Sequence, residues 1–389
     1  MSDVFDYLYW RGDLKIHSDK FNDVDALILS RLSYLQFDNI VSNSFSENIT
    51  IKQAAKLFFD KKDYSELILW KGDDRLLREV ACSKRFENMK LSGYCNIVES
   101  NKQMQFSAIA IEVSKDLTFI SFRGTDNTLV GWQEDFNMFC VFPLPSQVKA
   151  VDYVKRAAEY FDGKLILGGH SKGGNLAVYA AAFSKTEIRD RITAIYNQDG
   201  PGFDKKTLST SGFAAIRDKT ITNVPQSSIF GMMFEHEEDF AIVKSNQKGF
   251  MQHDIYSWEI DRTNLVRLSH TTNLSVFFDH TLTQFAAGMT EKERKEFIEG
   301  VFSLLNSTEN TTFNQIKQNI ISNSGTILSS VKNMDSETRS LILSSVLNFI
   351  KCAKNNFSDI NPLSKENRIS REKDKRFNKS KKQKQKNNG

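Results

Sequence analysis

The spacing of apolar positions along this chain changes twice. Over residues 22 to 90 they recur at helical intervals, most clearly in DVDALILSRLSYLQF and IKQAAKLFFD, and predict a mainly helical segment. From residue 103 short β-rich runs take over. QFSAIAIEVSK and DLTFISFRG, joined by a polar turn, predict a hairpin. A helical SQVKAVDYVKRAAEYFDG follows, then the strand KLILGG, the helix NLAVYAAAFSK, the strand RITAIYNQDG and later DFAIVKSN. Strands alternating with helices predict an α/β layer on a largely parallel sheet.

Residues 264 to 355 return to helical spacing. NLSVFFDHTLTQFAAGM places apolar residues at i, i+3 and i+4; TEKERKEFIEGVFSLLN opens with Thr290 three residues before Glu293, a capping-box pattern. SETRSLILSSVLNFIKCAKN is a further amphipathic helix. These helices hold no compact set of reactive residues and read as a packing or lid-like appendage. The end of the chain, KRFNKSKKQKQKNNG, is polar and charged; it cannot recover its ordering entropy by burial and is predicted disordered. The pattern divides the chain into an N-terminal helical extension packed on the core (1–90), an α/β core (91–263), a C-terminal helical region (264–358) and a disordered basic tail (359–389). No internal repeat is visible.

Composition adds two constraints. With 389 residues, 40% hydrophobic and 26% charged, the chain can bury a sizeable core. The formal charge of +4 hides an asymmetry, since residues 361 to 389 carry a net +8 and the first 360 residues −4. Such a tail can attract an anionic membrane surface or nucleic acid, or simply keep the chain soluble. No stable protein partner is implied. The first thirty residues lack the pattern of a secretory signal, and no stretch approaches the roughly 18 apolar residues of a membrane span, so a cytoplasmic location is expected. Cys82, Cys95, Cys140 and Cys352 form no C-x-x-C pair, which points to four reduced thiols, most of them core residues, rather than disulfides or a zinc knuckle.

The candidate chemistry starts at Gly169-His170-Ser171-Lys172-Gly173. G-x-S-x-G alone is a weak pattern, but here an apolar strand ends at Leu167 and a helix starts near Gly174. That is the strand–turn–helix setting in which glycines two residues before and after a serine let it sit on a sharp turn above the sheet edge. Ser171 is the expected nucleophile. The helix N-terminus aims amide dipoles at developing negative charge, so the backbone N–H of Lys172 is one half of an expected oxyanion hole. Its side chain reads as a solvated surface lysine. Neither a Walker loop nor a dinucleotide loop fits the glycine spacing. Upstream, DLTFISFRG runs into Thr125, whose amide is the other candidate oxyanion donor.

ISFRGTD, GWQEDFNM and GGHSKGGNLA, in this order, resemble the class 3 lipase-like α/β-hydrolases. Residues 1 to about 305 resemble the Mbeg1-like family, through FNDVDALILSRLSYLQF, YNQDGPGF, VPQSSIFGMMFEH and QHDIYSW. The resemblance implies an α/β-hydrolase-type fold and a serine-hydrolase site, and leaves the substrate open.

In this fold the triad runs Ser, acid, His. The base then comes from His236, His253, His270 or His280, because His17 is remote and His170 lies in the turn itself. His253 is favoured: it follows DFAIVKSN by a short loop and matches the QHD-x-x-SW block of the family. His236 is second, and His270 and His280 fall in or beside helical segments. For the acid, class 3 lipases place an aspartate after the strand that follows NQDG, where this chain has Gln226, Ser227 and Ser228 instead. Asp199, at the carboxyl end of RITAIYNQDG, is the alternative acid, or else the cap of a Gly-Pro-Gly turn. Glu237, Glu238 and Asp239 are the reserve, otherwise a solvated loop. DNTLVGWQEDFNMFCVFPLPS could form a flap over an apolar acyl pocket, or its Trp132, Phe136, Met138 and Phe139 could be core.

The expected activity is ester or thioester hydrolysis through an acyl-Ser171 intermediate, with no metal or organic cofactor and an acyl or lipid substrate on resemblance. The rival reading is a catalytically silent binding or membrane-surface adaptor protein that keeps the fold.

Overall fold

The computed structural model describes residues 2–306 and 334–360, with Thr312, Gln315 and Ser329 between them. The first quarter of the chain folds as α1 (Val4–Arg11), α2 (Asp23–Leu32), β1 (Ile49–Thr50), α3 (Ile51–Phe59) and α4 (Asp73–Cys82). Polar residues set the helix starts: Asp3 and Asn22 cap α1 and α2, each answered by an aspartate three residues later.

Next come β2 (Lys90–Glu99), β3 (Met104–Ser114) and β4 (Leu117–Phe122), then α5 (Leu129–Asn137), α6 (Pro145–Tyr160), β5 (Lys164–His170) and α7 (Lys172–Phe183). After them lie α8 (Thr186–Arg191), β6 (Ile192–Gln198), α9 (Lys205–Leu208), α10 (Ser211–Ile216), β7 (Thr220–Pro225) and β8 (Phe240–Val243). Three two-residue strands follow, β9 (Ile260–Asp261), β10 (Asn264–Leu265) and β11 (Arg267–Leu268); the described chain closes with α11 (Asn273–Ala287), α12 (Glu291–Asn306) and α13 (Ser336–Ile360).

Nine strands form one sheet in the order β1-β2-β3-β4-β5-β6-β7-β8-β11. Pairing is antiparallel from β1 to β4, parallel from β4 to β8, and antiparallel again at β11. This is an α/β-hydrolase-type fold. The predicted hairpin is β3–β4, but β2 was not predicted. Its period is broken by Gly93, at φ +60°, where pairing to β3 slips between Ser92 and Cys95.

The parallel strands are laid down in one direction across the sheet. Right-handed crossovers that always step the same way leave their helices on one face, so the other face needs a different cover. Alternating residues of β3 to β6 show both covers. Phe106, Ala108, Ile120, Leu165 and Ile195 pack under the crossover helices α6 and α7, while Ile109, Ile111, Phe119, Ile166 and Tyr196 pack against Leu27, Leu29 and Leu76 of the N-terminal helices. Thus the helices of residues 1–90 cover one face of the sheet, which itself reaches across residue 90 through β1 and across residue 264 through β11.

In the C-terminal region α12 packs on α5, through Ile298 and Phe302 against Trp132 and Cys140, and α13 packs on α11 and α12. Met138 is buried, whereas Phe136 is partly exposed against Phe302. Residues 361–389 of the expected disordered tail lie outside the described residues; 359 and 360 close α13.

Candidate active site

A strained backbone turn lies between β5 and α7. Ser171 has φ 58° and ψ −134°, a region that costs a non-glycine residue roughly 1–3 kcal/mol. The two glycines of the pentapeptide permit it. A Cβ on Gly173 would meet the Phe122 carbonyl oxygen at 2.1 Å, and one on Gly169 would meet the Gly173 carbonyl carbon at 2.3 Å. The serine is thereby lifted onto the carboxyl edge of the sheet at the start of α7, half-exposed. No hydrogen bond engages Ser171 Oγ among the described residues.

The end of β4 lies alongside. A Cβ on Gly124 would stand 3.1 Å from Ser171 Cβ, which puts the Arg123-Gly124-Thr125 turn against the nucleophile. The amides of Thr125 and Lys172 donate to no acceptor among the described residues. Thr125 Oγ1 donates to Asp135 Oδ2 on α5. Burial drives the Asp135 carboxyl up to about 6, against the pull of the Lys172 charge and the Thr125 hydrogen bond.

The Lys172 side chain overturns the sequence expectation of a surface lysine. It is fully buried and donates to the Gln105 carbonyl (3.1 Å), to Gln105 Oε1 (2.8 Å) and to Glu134 Oε2 (3.0 Å). Glu134 also accepts the amides of Gln105 and Ser146, both at 3.0 Å. One ammonium therefore ties β3 and α5 to the first residue of α7. No local pattern announces this, because the carboxylate partner lies 38 residues upstream.

Asp199 and His253 are brought together, with Nδ1 of His253 2.6 Å from Oδ2 of Asp199. A carboxylate only accepts, so Nδ1 carries the proton and Nε2 is left as the basic nitrogen. Asp199 is completely buried and sits at φ 54°; its other oxygen accepts from Ser228 Oγ and from the Gly231 amide at 3.2 Å. So the loop after β7, which opens on Gln226, Ser227 and Ser228, contributes Ser228 to hold a carboxylate carried at the end of the neighbouring strand β6. His253 lies between the rings of Phe230 and His170, with centroids at 4.5 and 4.4 Å. No hydrogen bond links its Nε2 to Ser171 among the described residues; such contacts often tighten only with substrate in place.

His170 connects the two halves. Its Nε2 donates to the His253 carbonyl at 2.8 Å, and Nδ1 faces the Tyr34 hydroxyl at 3.1 Å. Burial, then the neighbouring His253 and Arg31, hold its pKa well below the usual histidine range, so it stays neutral. Tyr34 is set by Arg31, whose guanidinium lies 4.3 Å over its ring and pairs with Asp73 at 2.7 Å. None of Tyr34, Asp135, Glu134 or Ser228 was a sequence candidate, and His170 had been set aside. For Glu134 and Asp135 the available signal was the acidic pair itself, set between Trp132 and Phe136.

His236, second choice for the base, is committed elsewhere. Its Nδ1 bonds Glu238 at 3.1 Å and its Nε2 the Gly231 carbonyl at 2.9 Å, so both nitrogens donate when the ring is charged. Burial lowers its pKa, but the Glu238 hydrogen bond and charge raise it further, and the net shift is upward. Burial likewise opposes ionisation of Glu238, yet the His236 bond and charge win and bring it down to about 2. Glu238 is therefore a buried ion-pair partner rather than a solvated loop residue, while Glu237 and Asp239 are exposed. His17 and His270 are exposed; His280 lines a cavity of about 420 Å³ together with Phe139, Phe203, Met233, Phe234 and Val276.

A family model described as Mbeg1-like matches residues 80–303. No curated protein matches. Among solved structures the chain is similar to the native Rhizomucor miehei lipase propeptide complex, with 16% identity over 40% of this chain and 57% of that chain and a TM-score of 0.28. It is also similar to M37 lipase, with 13% identity over 54% of this chain and 68% of that one and a TM-score of 0.34.

Proposed function

The chain belongs to the Mbeg1-like family, and from its site we propose a serine hydrolase that cleaves a carboxylic ester or thioester through an acyl-Ser171 intermediate. The observation that carries this reading is the strained Ser171 turn beside the buried Asp199–His253 pair. His253 Nε2 takes the Oγ proton as Ser171 attacks the acyl carbon. The Lys172 and Thr125 amides stabilise the oxyanion, His253 returns the proton to the departing alcohol or thiol, and water repeats the cycle on the acyl-enzyme. Asp199 fixes the histidine tautomer. None of these steps calls for a cofactor.

An apolar acyl or lipid substrate fits the 420 Å³ cavity, which Met232 and Met233 line next to the Gly231 that binds Asp199. The test is covalent labelling by a fluorophosphonate, followed by chromogenic esters of increasing chain length. Labelling lost in Ser171→Ala is the expected result; a folded wild-type protein that takes no label would overturn the reading.

A further inference from the structure

Helix α13 presents an apolar stripe on its outer face as well as packing inward. Leu343, Val346, Leu347, Ile350 and Phe357 recur at intervals of three, one, three and seven residues and form one stripe along the helix. That stripe faces outward: Leu347 and Phe357 are each 67% exposed and Leu343 58%. The face turned toward α11 and α12 is mixed: Ser345, Cys352 and Asn356 are buried there at 3%, 7% and 7%, beside Ile342 against Gly300 of α12 and Phe349 edge-on to Phe285 of α11. Asn356 and Gln284 of α11 exchange hydrogen bonds there. A surface helix of this kind ordinarily carries polar residues on its outer face.

The exposed apolar surface continues beyond α13. Phe277 of α11 shares a surface recess with Phe349, Ile350 and Phe357, Phe277 stacks edge-on to Phe278, and Phe278 packs on Phe250 at 5.5 Å. Phe250 and Met251, 59% and 62% exposed, lie in the short turn Gly249–His253 that ends at the proposed base. Lys351 and Lys354 stand exposed on the same helix, and the 29 residues that follow Ile360 carry a net +8.

We propose that this face, from Met251 and Phe250 across α11 to the outer stripe of α13, docks on an anionic lipid surface, with residues 361–389 supplying the electrostatic hold. An apolar helical stripe followed by a polybasic segment pairs the two terms that bind a helix in the plane of a membrane. Charge argues against a second copy as occupant, since two such faces would bring two +8 segments together. A nucleic acid would leave the apolar stripe uncovered. No helix among the described residues is long and apolar enough to cross a membrane, so α13 lies on the surface rather than through it. Docking stands without the hydrolase reading; its use, to present the His253 turn to lipid esters, rests on it.

The test is flotation of the full chain with vesicles of phosphatidylcholine alone or with a third of phosphatidylserine. Binding to the anionic vesicles only is expected, weakened about tenfold or more by raising salt from about 0.1 M to about 1 M. Replacing five tail lysines (Lys379, Lys381, Lys382, Lys384 and Lys386) by Gln weakens it similarly. Leu347→Glu with Phe357→Glu abolishes it; both sites are exposed, so folding is kept and a thermal melt verifies that. Unchanged binding of the Glu variant overturns the proposal. So does a dimer that the Glu variant breaks without any vesicle binding, or nucleic-acid binding that depends on the tail alone. Fluorophosphonate labelling in vesicle-free buffer is untouched by these variants, which separates a failure here from a failure of the hydrolase reading.

Discussion

Replacing Lys172 by Met removes a buried ammonium together with its three hydrogen bonds. The Glu134 carboxylate is then left buried on the two amides of Gln105 and Ser146, and both oxygens of Gln105 lose a donor. Breaking a buried pair from one side costs about 3–5 kcal/mol, because the partner charge stays behind. Glu134→Gln is milder, about 2–3 kcal/mol, since the amide still accepts from Lys172 while the full charge pairing is lost. The double variant Lys172→Met, Glu134→Gln is expected to be less destabilised than the two single losses summed, by about 2 kcal/mol or more, as the stranded carboxylate is gone. Urea unfolding followed by circular dichroism measures all three. A Lys172→Met variant within about 1 kcal/mol of the parent, or strict additivity in the cycle, would refute the argument that this ammonium clamps α5 and β3 to the elbow.

Asp199→Asn is expected to keep the fold and to slow Ser171 labelling by about 10³–10⁴-fold, because the amide no longer holds the Nδ1–H tautomer; labelling within tenfold of the parent would exclude Asp199 as the acid. Ser171→Gly abolishes labelling and raises stability by about 1 kcal/mol, because glycine tolerates φ 58° without strain, and a destabilised glycine variant would contradict that. The His236–Glu238 pair gives the pH dependence a sign. Glu238, lowered from 4.5 to about 2, contributes about 3 kcal/mol of stability that is present above pH 4.5 and lost as pH falls toward 2. His236, raised from 6.5, contributes below that value and loses its contribution as pH rises through the raised pKa. Both describe one interaction, so Glu238→Gln should flatten the urea-midpoint profile on both flanks; an unchanged profile would count against the pair.

Sequence periodicity carried the β3–β4 hairpin, the β5–elbow–α7 unit and the helices at both ends, because each repeats its spacing over many residues. It missed β2, whose bulge at Gly93 breaks the alternation, and β11, whose two residues are too few to show any. Within the site, the strand–turn–helix context pointed to the Ser171 turn, and chain order pointed to Asp199 and His253, which the structure brings within hydrogen-bond distance of each other. The burial of Lys172 and of Glu238 was illegible: a charged side chain reads as solvated unless its partner is known, and the partner of Lys172 is brought near only by folding. The same holds for Ser228, whose role at Asp199 needs two adjacent strand ends.

The sheet is buried on both faces by different parts of the chain, and this bears on where it can be cut. The family match begins at residue 80, yet α1, α2 and most of α4 lie before it. A fragment starting there would uncover Ile109, Ile111, Phe119, Ile166 and Tyr196 along one side of the sheet, and would also remove the Tyr34 hydroxyl from His170. Such a fragment should be recovered as aggregate rather than as a monomer. The stretch that the family match covers is smaller than the stretch that buries both faces of the sheet.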